Sequence, residues 1–473
     1  MLAAHRAPAR RHDVGRRDLR RREDAMTAPA TTRPPALVRA ARTPSTVDLD
    51  RWDPEDESRW DRRFAWRTLW ITTYNLTLAF CAWYLVSAVA PRLNDVGFDL
   101  TTAQLYWLTA VPGLAGGLFR MVYMFLPPVV GTRTLVGGTA TLLLLPMLGW
   151  TFAVRDASTP YSVLLLLAVA AGVGGGAFSG FMPSTSYFFP RRMAGTALGL
   201  QAGIGNFGVS LIQFLTPWVV GFGLLGTAVL TPQQTATGSH LWLHNAGLVL
   251  VPWTVLGAVL AGLYLRRVPV RANVREQLDI FRNKHTWIMT AIYLMTFGAF
   301  SGFAAQLGLL VVEQYGGFED APDPLRYAFL GPLLGSAARA GFGPLCDRYG
   351  GAVWTLVSGV GMTASTVFAL FFLDPHDVGQ FGWFLAGMLA VFTFAGIGNA
   401  GTFKQMPMIF PRRQAGGVIG WTASTAAFGP FLVGIGLSLV PARSFFVGCA
   451  VFFALCTWLT WHYYARPGAP HPS

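Results

Sequence analysis

The chain has 473 residues, of which 53% are hydrophobic and only 12% charged, and its mean hydropathy is +0.43. A soluble domain carries about 25% charged residues, so this composition excludes an ordinary soluble enzyme and points to a membrane protein. The net charge of +13 invites a nucleic-acid reading, but much of it lies before Arg67 and between Arg266 and Lys284, which fits loops beside a membrane better.

Residues 1–60 read as a disordered basic tail. RRHDVGRRDLRRRED is an arginine block without apolar periodicity, and TAPATTRPPALVRAARTP is rich in Pro, Thr and Ala. The block faintly resembles an organelle transit peptide, although its Asp and Glu count against that. Met26 offers an alternative start. No apolar stretch follows the first arginines, so no cleavable signal peptide is expected.

Apolar runs of spanning length, about 20 residues, then recur. They predict helices over 68–91, 103–128, 134–154, 160–187, 194–222, 243–265, 285–313, 325–345, 352–373, 381–408, 416–438 and 444–465. Positive residues gather at the cytoplasmic ends of spanning helices. With the N-terminus inside, the inner loops hold Arg133, Arg191, Arg192, Arg266, Arg267, Arg271, Arg275, Arg282, Lys284, Arg348, Arg412 and Arg413. The outer loops hold only Arg92, Arg155, Arg326 and Arg443. Both termini are therefore expected inside. Cys81, Cys346, Cys449 and Cys456 lie in or at the ends of apolar helices, with no CxxC pair, and are expected to be neither disulfides nor metal ligands.

Two motifs repeat. FFPRRMAG (188–195) follows the Gly-rich GVGGGAFSG, and IFPRRQAG (409–416) follows GIGNAGTFK, an offset of 221. GLAGGLFRM places Arg120 in the second helix and GSAARAGFG places Arg339 in the eighth, an offset of 219. Two copies of a six-helix unit explain both offsets, related by an axis along the membrane normal. The chain thus divides into a tail (1–60), an N-terminal half (61–265), a cytoplasmic linker (266–284), a C-terminal half (285–466) and a short tail (467–473). This all-α, twelve-helix, pseudo-symmetric layout is that of a major facilitator. GPLCDRYGG (343–351) resembles the G-x-x-x-D-R-x-G-G loop motif of that fold, and its Asp347 and Arg348 are suited to holding helix ends together.

Burying an arginine mid-helix costs at least about 2.5–3.5 kcal/mol, so Arg120, Arg339 and Lys404 are functional candidates. No Asp or Glu sits mid-helix with them. Two buried guanidiniums without carboxylates call for an anion, and their flat forks suit planar oxyanions, which also stack between aromatic rings. The alternative is that each arginine bonds carbonyls freed in glycine-broken helices. For Lys404, snorkelling to the interface competes with a functional role.

GVGGGAFSGFMPSTSYFFPRRMAGTALGLQAGIGNFGVS (172–210) and AGIGNAGTFKQMPMIFPRRQAGG (395–417) resemble the two signatures of the nitrate/nitrite porter family, within the major facilitator superfamily. WDPEDESRW (52–60), LTAVPGLAGGLFR (108–120), TWIMTAIYLMTFGAFSGF (286–303) and FLGPLLGSAARAGFGPLCDRYGG (329–351) are also similar to bacterial members. The resemblance implies nitrate and nitrite as substrates. It implies that Arg120 and Arg339 bind the anion, Phe178 and Phe297 sandwich it, Tyr293 hydrogen-bonds it and Asn206 contributes from the fifth helix. Two positions depart from the pattern: Ala177 stands where several members carry Asn, and Lys404 where some exchangers carry Gln.

The expected function is alternating-access transport of nitrate and nitrite. An empty, doubly positive site resists closure, and mid-membrane carboxylates, which commonly relay protons, are missing from the sequence. Both favour antiport. Proton-coupled nitrate symport is the alternative, with Lys404 as the coupling group, because an inside-negative potential opposes anion uptake. A transporter-like nitrate receptor would be expected to carry a signalling domain. No enzyme motif, cofactor or metal site is expected, since GIGNFG (203–208) lies inside an apolar helix and is no dinucleotide loop. The expected setting is a monomer in the cell membrane, in contact with lipid and not with nucleic acid.

Overall fold

The computed structural model describes residues 52–224, 231–235, 238–267 and 279–469. The arginine block, most of the linker and the last four residues lie outside them. Among the described residues the long helices are α1 (Arg62–Val89), α2 (Thr102–Tyr123), α3 (Leu126–Ala153), α4 (Tyr161–Ser186), α5 (Arg191–Val219) and α6 (Asn245–Tyr264), then α7 (Lys284–Tyr315), α8 (Leu330–Tyr349), α9 (Gly351–Leu370), α10 (Phe381–Ile409), α11 (Arg412–Ala426 continued by Gly429–Leu439) and α12 (Ala442–Ala465). Among the described residues, eleven are long and apolar enough to cross a membrane. The remaining one, α8, has 20 residues but carries Arg339, Asp347 and Arg348. At 1.5 Å per residue, 20 residues match the hydrocarbon thickness.

Local chemistry sets the ends. Asp61 accepts from the N–H groups of Arg63 and Phe64 to start α1, and a Thr101–Gln104 capping box starts α2. Pro190 and Pro411, from the two FPRR repeats, stand immediately before α5 and α11, where a missing N–H does no harm. GPLCDRYGG is not a loop: it forms the last turns of α8, and only Gly350, at φ 90°, turns the chain into α9. A two-residue β-hairpin, β1 (Gln233–Gln234) with β2 (His240–Leu241), decorates the α5–α6 connection.

α1 and α7 are almost wholly buried, whereas α6 and α12 expose most of their surface. On α6 the exposed residues include Trp253, Val255, Leu256, Val259 and Leu263, the apolar face a helix presents to lipid. The halves meet where α2 packs on α11 and α5 on α8. The Gly-rich runs lie at the closest approaches within each half: a Cβ on Gly174 would sit 2.1 Å from the Ala79 carbonyl of α1, and one on Gly396 2.1 Å from the Gly335 carbonyl of α8. Small residues at such spacing bring backbones together.

Residues 52–60 correct the expected tail boundary. The indoles of Trp52 and Trp60 donate to the carbonyls of Tyr187 and Phe188, at 3.1 and 2.9 Å. Trp52 also packs on Phe64 and Phe188. The acidic, non-periodic text between the two tryptophans conceals this anchoring.

Candidate anion site

Among the described residues, Arg120 and Arg339 are the only buried members of the Asp, Glu, Lys and Arg set, at 0% and 8% exposure. Arg120 projects from the last turn of α2. Its Nε donates to the Gly175 carbonyl of α4 and its Nη1 to the Ala423 carbonyl of α11, both at 2.8 Å. Its guanidinium carbon lies 4.8 Å from the Phe178 ring centroid, 5.2 Å from Phe297 and 5.3 Å from Trp83. Each is within cation–π range. The third nitrogen, Nη2, is buried without a partner.

Arg339, midway along α8, is held differently. Its guanidinium carbon lies 4.9 Å from the Phe403 ring of α10, and its Nη1 is buried without a partner. Tyr293 and Phe297 of α7 stack at 5.5 Å with an interplanar angle of 5°, and Tyr293 reaches Phe403 at 5.2 Å. A π-helical segment, Leu294–Gly298, begins directly after Tyr293 and contains Phe297. Such bulges occur often at functional sites. The Tyr293 hydroxyl feels both guanidiniums but forms no hydrogen bond of ordinary geometry. The two arginines repel each other electrostatically.

Five of the six expected binding residues therefore converge: Arg120, Phe178, Tyr293, Phe297 and Arg339. The rings of Phe178 and Phe297 both border the Arg120 guanidinium. Asn206, on α5, is fully buried, and both its amide atoms lack partners. Lys404 stands apart. Its Nζ pairs with Asp347 at 2.5 Å, with side-chain exposures of 39% and 67%. The sequence groups Lys404 with the two mid-helix arginines, with snorkelling to the interface as the competing reading, and the structure does not bring it to them. Its side chain instead reaches the end of α8, so the Asp347 motif does join two helix ends. Arg348 lies over the neighbouring Tyr349 ring.

Two aromatic residues escaped the sequence reading. Phe403 is the ring beside Arg339, and its position directly before Lys404, inside the second signature, was the available signal. Trp83 is the third ring around Arg120, and its indole donates to the Pro112 carbonyl at 2.8 Å. Nothing in the pattern of α1 distinguishes it from other apolar positions.

Two six-helix halves around a buried cationic centre define a multi-pass membrane carrier. The model of the Major Facilitator Superfamily matches residues 72–426. The probable nitrate/nitrite antiporter NarK2 of Thermus thermophilus is 59% identical over 430 residues, covering 89% of this chain and 97% of the relative. The nitrate/nitrite transporter NarU of Escherichia coli (strain K12) is 32% identical over 453 residues, covering 88% and 96%. Among solved structures, a bacterial homolog of the human lysosomal transporter Spinster superposes with a TM-score of 0.64 at 14% identity, covering 85% of this chain and 97% of that one. The xylose transporter XylE from E. coli gives 0.63 at 13% identity, covering 84% and 96%. The chain belongs to the major facilitator superfamily and, within it, to the nitrate/nitrite porters.

Proposed function

We propose that this protein carries nitrate and nitrite across the cell membrane by alternating access, exchanging one anion for the other. One observation carries the reading: two buried guanidiniums keep unpartnered nitrogens among aromatic rings, and no buried carboxylate accompanies them among the described residues. An anion of charge −1 between Arg120 and Arg339 relieves their repulsion and accepts from their free nitrogens. Phe178 and Phe297 border the space on the Arg120 side, Tyr293 lies between the two arginines, and Asn206 adds a neutral amide.

The halves, 61–265 and 285–466, rock about this centre. At the end carrying the α1–α2 and α7–α8 connections they are tied together. Arg92 pairs with Asp323 at 2.7 Å. Tyr106 donates to Glu313 at 2.5 Å, Thr109 to Gln306 at 2.6 Å, and Gln213 to the Ala304 carbonyl at 2.7 Å. The arginine bias of the loops makes this the outer face, with both termini in the cytoplasm. Exchange follows from charge. An empty doubly cationic site is costly to close in a low-dielectric interior, so reorientation requires a bound anion.

Reconstituted vesicles test this. Vesicles loaded with nitrite should take up nitrate rapidly, and nitrite-free vesicles should not, with or without a proton gradient. Acid-stimulated nitrate accumulation into nitrite-free vesicles would establish symport instead.

A further inference from the structure

Unpartnered polar side chains lie buried on α5 and α8, which pack against each other. The two helices run antiparallel, and two contacts fix their register. A Cβ on Gly203 would meet Ala340 at 4.0 Å, and the rings of Phe214 and Phe329 lie 5.0 Å apart. One turn along α5 from Gly203, on the same face, is Asn206. One turn along α8 from Ala340, in the same direction and on the same face, is Ser336. The two therefore oppose each other. Both are fully buried, and neither the Ser336 hydroxyl nor either amide atom of Asn206 has a hydrogen-bond partner.

Buried polar groups are ordinarily satisfied, and a serine in a helix can ordinarily bond the carbonyl one turn back. Several buried residues of this chain do so: Thr355 bonds the Gly351 carbonyl and Ser424 that of Gly420, both at 2.8 Å. Ser336 does not. It sits three residues before Arg339 and so shares its helix face. Its neighbour Gly335 is fixed against Phe300 and the Phe392 carbonyl, which sets the rotation of α8 and leaves Ser336 turned toward α5.

We infer that Ser336 is an anion ligand that determines specificity, donating its hydroxyl to the one oxygen that nitrate has and nitrite lacks. This rests on the proposed site. The free nitrogens of the two guanidiniums, Nη2 of Arg120 and Nη1 of Arg339, engage two oxygens of a planar anion. A third oxygen is then best met by a neutral donor, because a further cation would add to the existing repulsion. The Ser336 hydroxyl, one turn from Arg339 on α8 and with the Asn206 amide on the facing helix, supplies such a donor. Nitrite leaves the hydroxyl unused.

The test measures KM and maximal rate for nitrate and for nitrite in vesicles bearing wild type, Ser336→Ala, Ser336→Thr, Arg120→Lys or Arg339→Lys. Loss of a hydrogen bond to an anion should raise the nitrate KM of Ser336→Ala about tenfold. The nitrite KM should stay within about twofold and the maximal rate near wild type, because no nitrite oxygen uses the bond. Ser336→Thr, which keeps the hydroxyl, should restore the nitrate KM. An unchanged nitrate KM, an equal rise for both anions, or a fall in rate alone would each overturn the assignment. In those cases, dead arginine variants would leave the arginine site standing. Arginine variants that transport normally would instead overturn the site itself, and the role of Ser336 with it.

Discussion

Arg120 and Arg339 hold matching places in the two halves, yet their surroundings differ. Arg120 is tied to carbonyls of α4 and α11 and ringed by Phe178, Phe297 and Trp83. Arg339 lies over a single ring, that of Phe403, with the Tyr293 hydroxyl nearby, and keeps slight exposure. Arg120 thus partly fits the alternative weighed for both arginines, that of satisfying carbonyls. Because Gly175 belongs to one half and Ala423 to the other, Arg120 also bridges the halves. Repeat symmetry gives two arginines at matching sequence positions but not of the same duty. One is a fixed post with a single nitrogen to spare, and the other is freer to follow the anion.

The largest expected effect tests both at once. Arg120→Lys and Arg339→Lys should each reduce nitrate transport at least about a hundredfold, because lysine keeps the charge but loses the planar fork. The comparison predicts a difference in stability. Arg120→Lys also forfeits two charge-assisted bonds to carbonyls and should lower the melting temperature of the purified protein by about 5 °C. Arg339→Lys should leave it nearly unchanged. Equal melting temperatures would show that the carbonyl bonds of Arg120 carry no structural weight.

The aromatic neighbours should follow with a smaller effect. Phe403→Leu removes the ring over which Arg339 lies and should raise the nitrate KM about three- to tenfold. Phe178→Leu leaves Arg120 with two other rings and its carbonyls, so the orientation of that arginine should survive. Its loss should come from the missing stack on the anion. A thermal stability of Phe178→Leu that falls with that of Arg120→Lys would contradict this separation.

Sequence and structure agree most closely where charge meets hydropathy. Among the described residues, eleven of the helices follow from apolar length, and Arg120 and Arg339 stand out because an arginine in an apolar helix has so few explanations. The aromatic residues were not legible in this way. The chain has 35 Phe and 16 Trp, and nothing local marks the few that converge from α1, α4, α7 and α10. Phe178 and Phe297 came only from family resemblance, and Trp83 and Phe403 only from the folded arrangement. The π-helical segment after Tyr293 has no composition signal. The anchoring of residues 52–60 was hidden because two indoles hold it, while the text between them is polar.

Lys404 gives the smallest and most discriminating prediction. Depth along a helix was readable, but radial direction was not, and Lys404 points to Asp347 at the exposed end of α8 rather than to Arg339. A lysine so placed keeps its solvation, and an exposed ion pair contributes little, about 0–1 kcal/mol. Lys404→Gln should therefore change nitrate/nitrite exchange by no more than about fivefold, the most that loss of one such pair accounts for. If the pair locks α8 to α10 in one conformation, Asp347→Asn should produce the same small change, and the double variant should add nothing. Coupling through Lys404 predicts otherwise. Proton-driven net uptake would be present in the wild type and vanish in Lys404→Gln, while Asp347→Asn, which leaves the ammonium group, would retain it. Matching behaviour of the two single variants, with no net uptake in any of them, assigns Lys404 to the helix-end lock and leaves charge compensation to the anion between the two arginines.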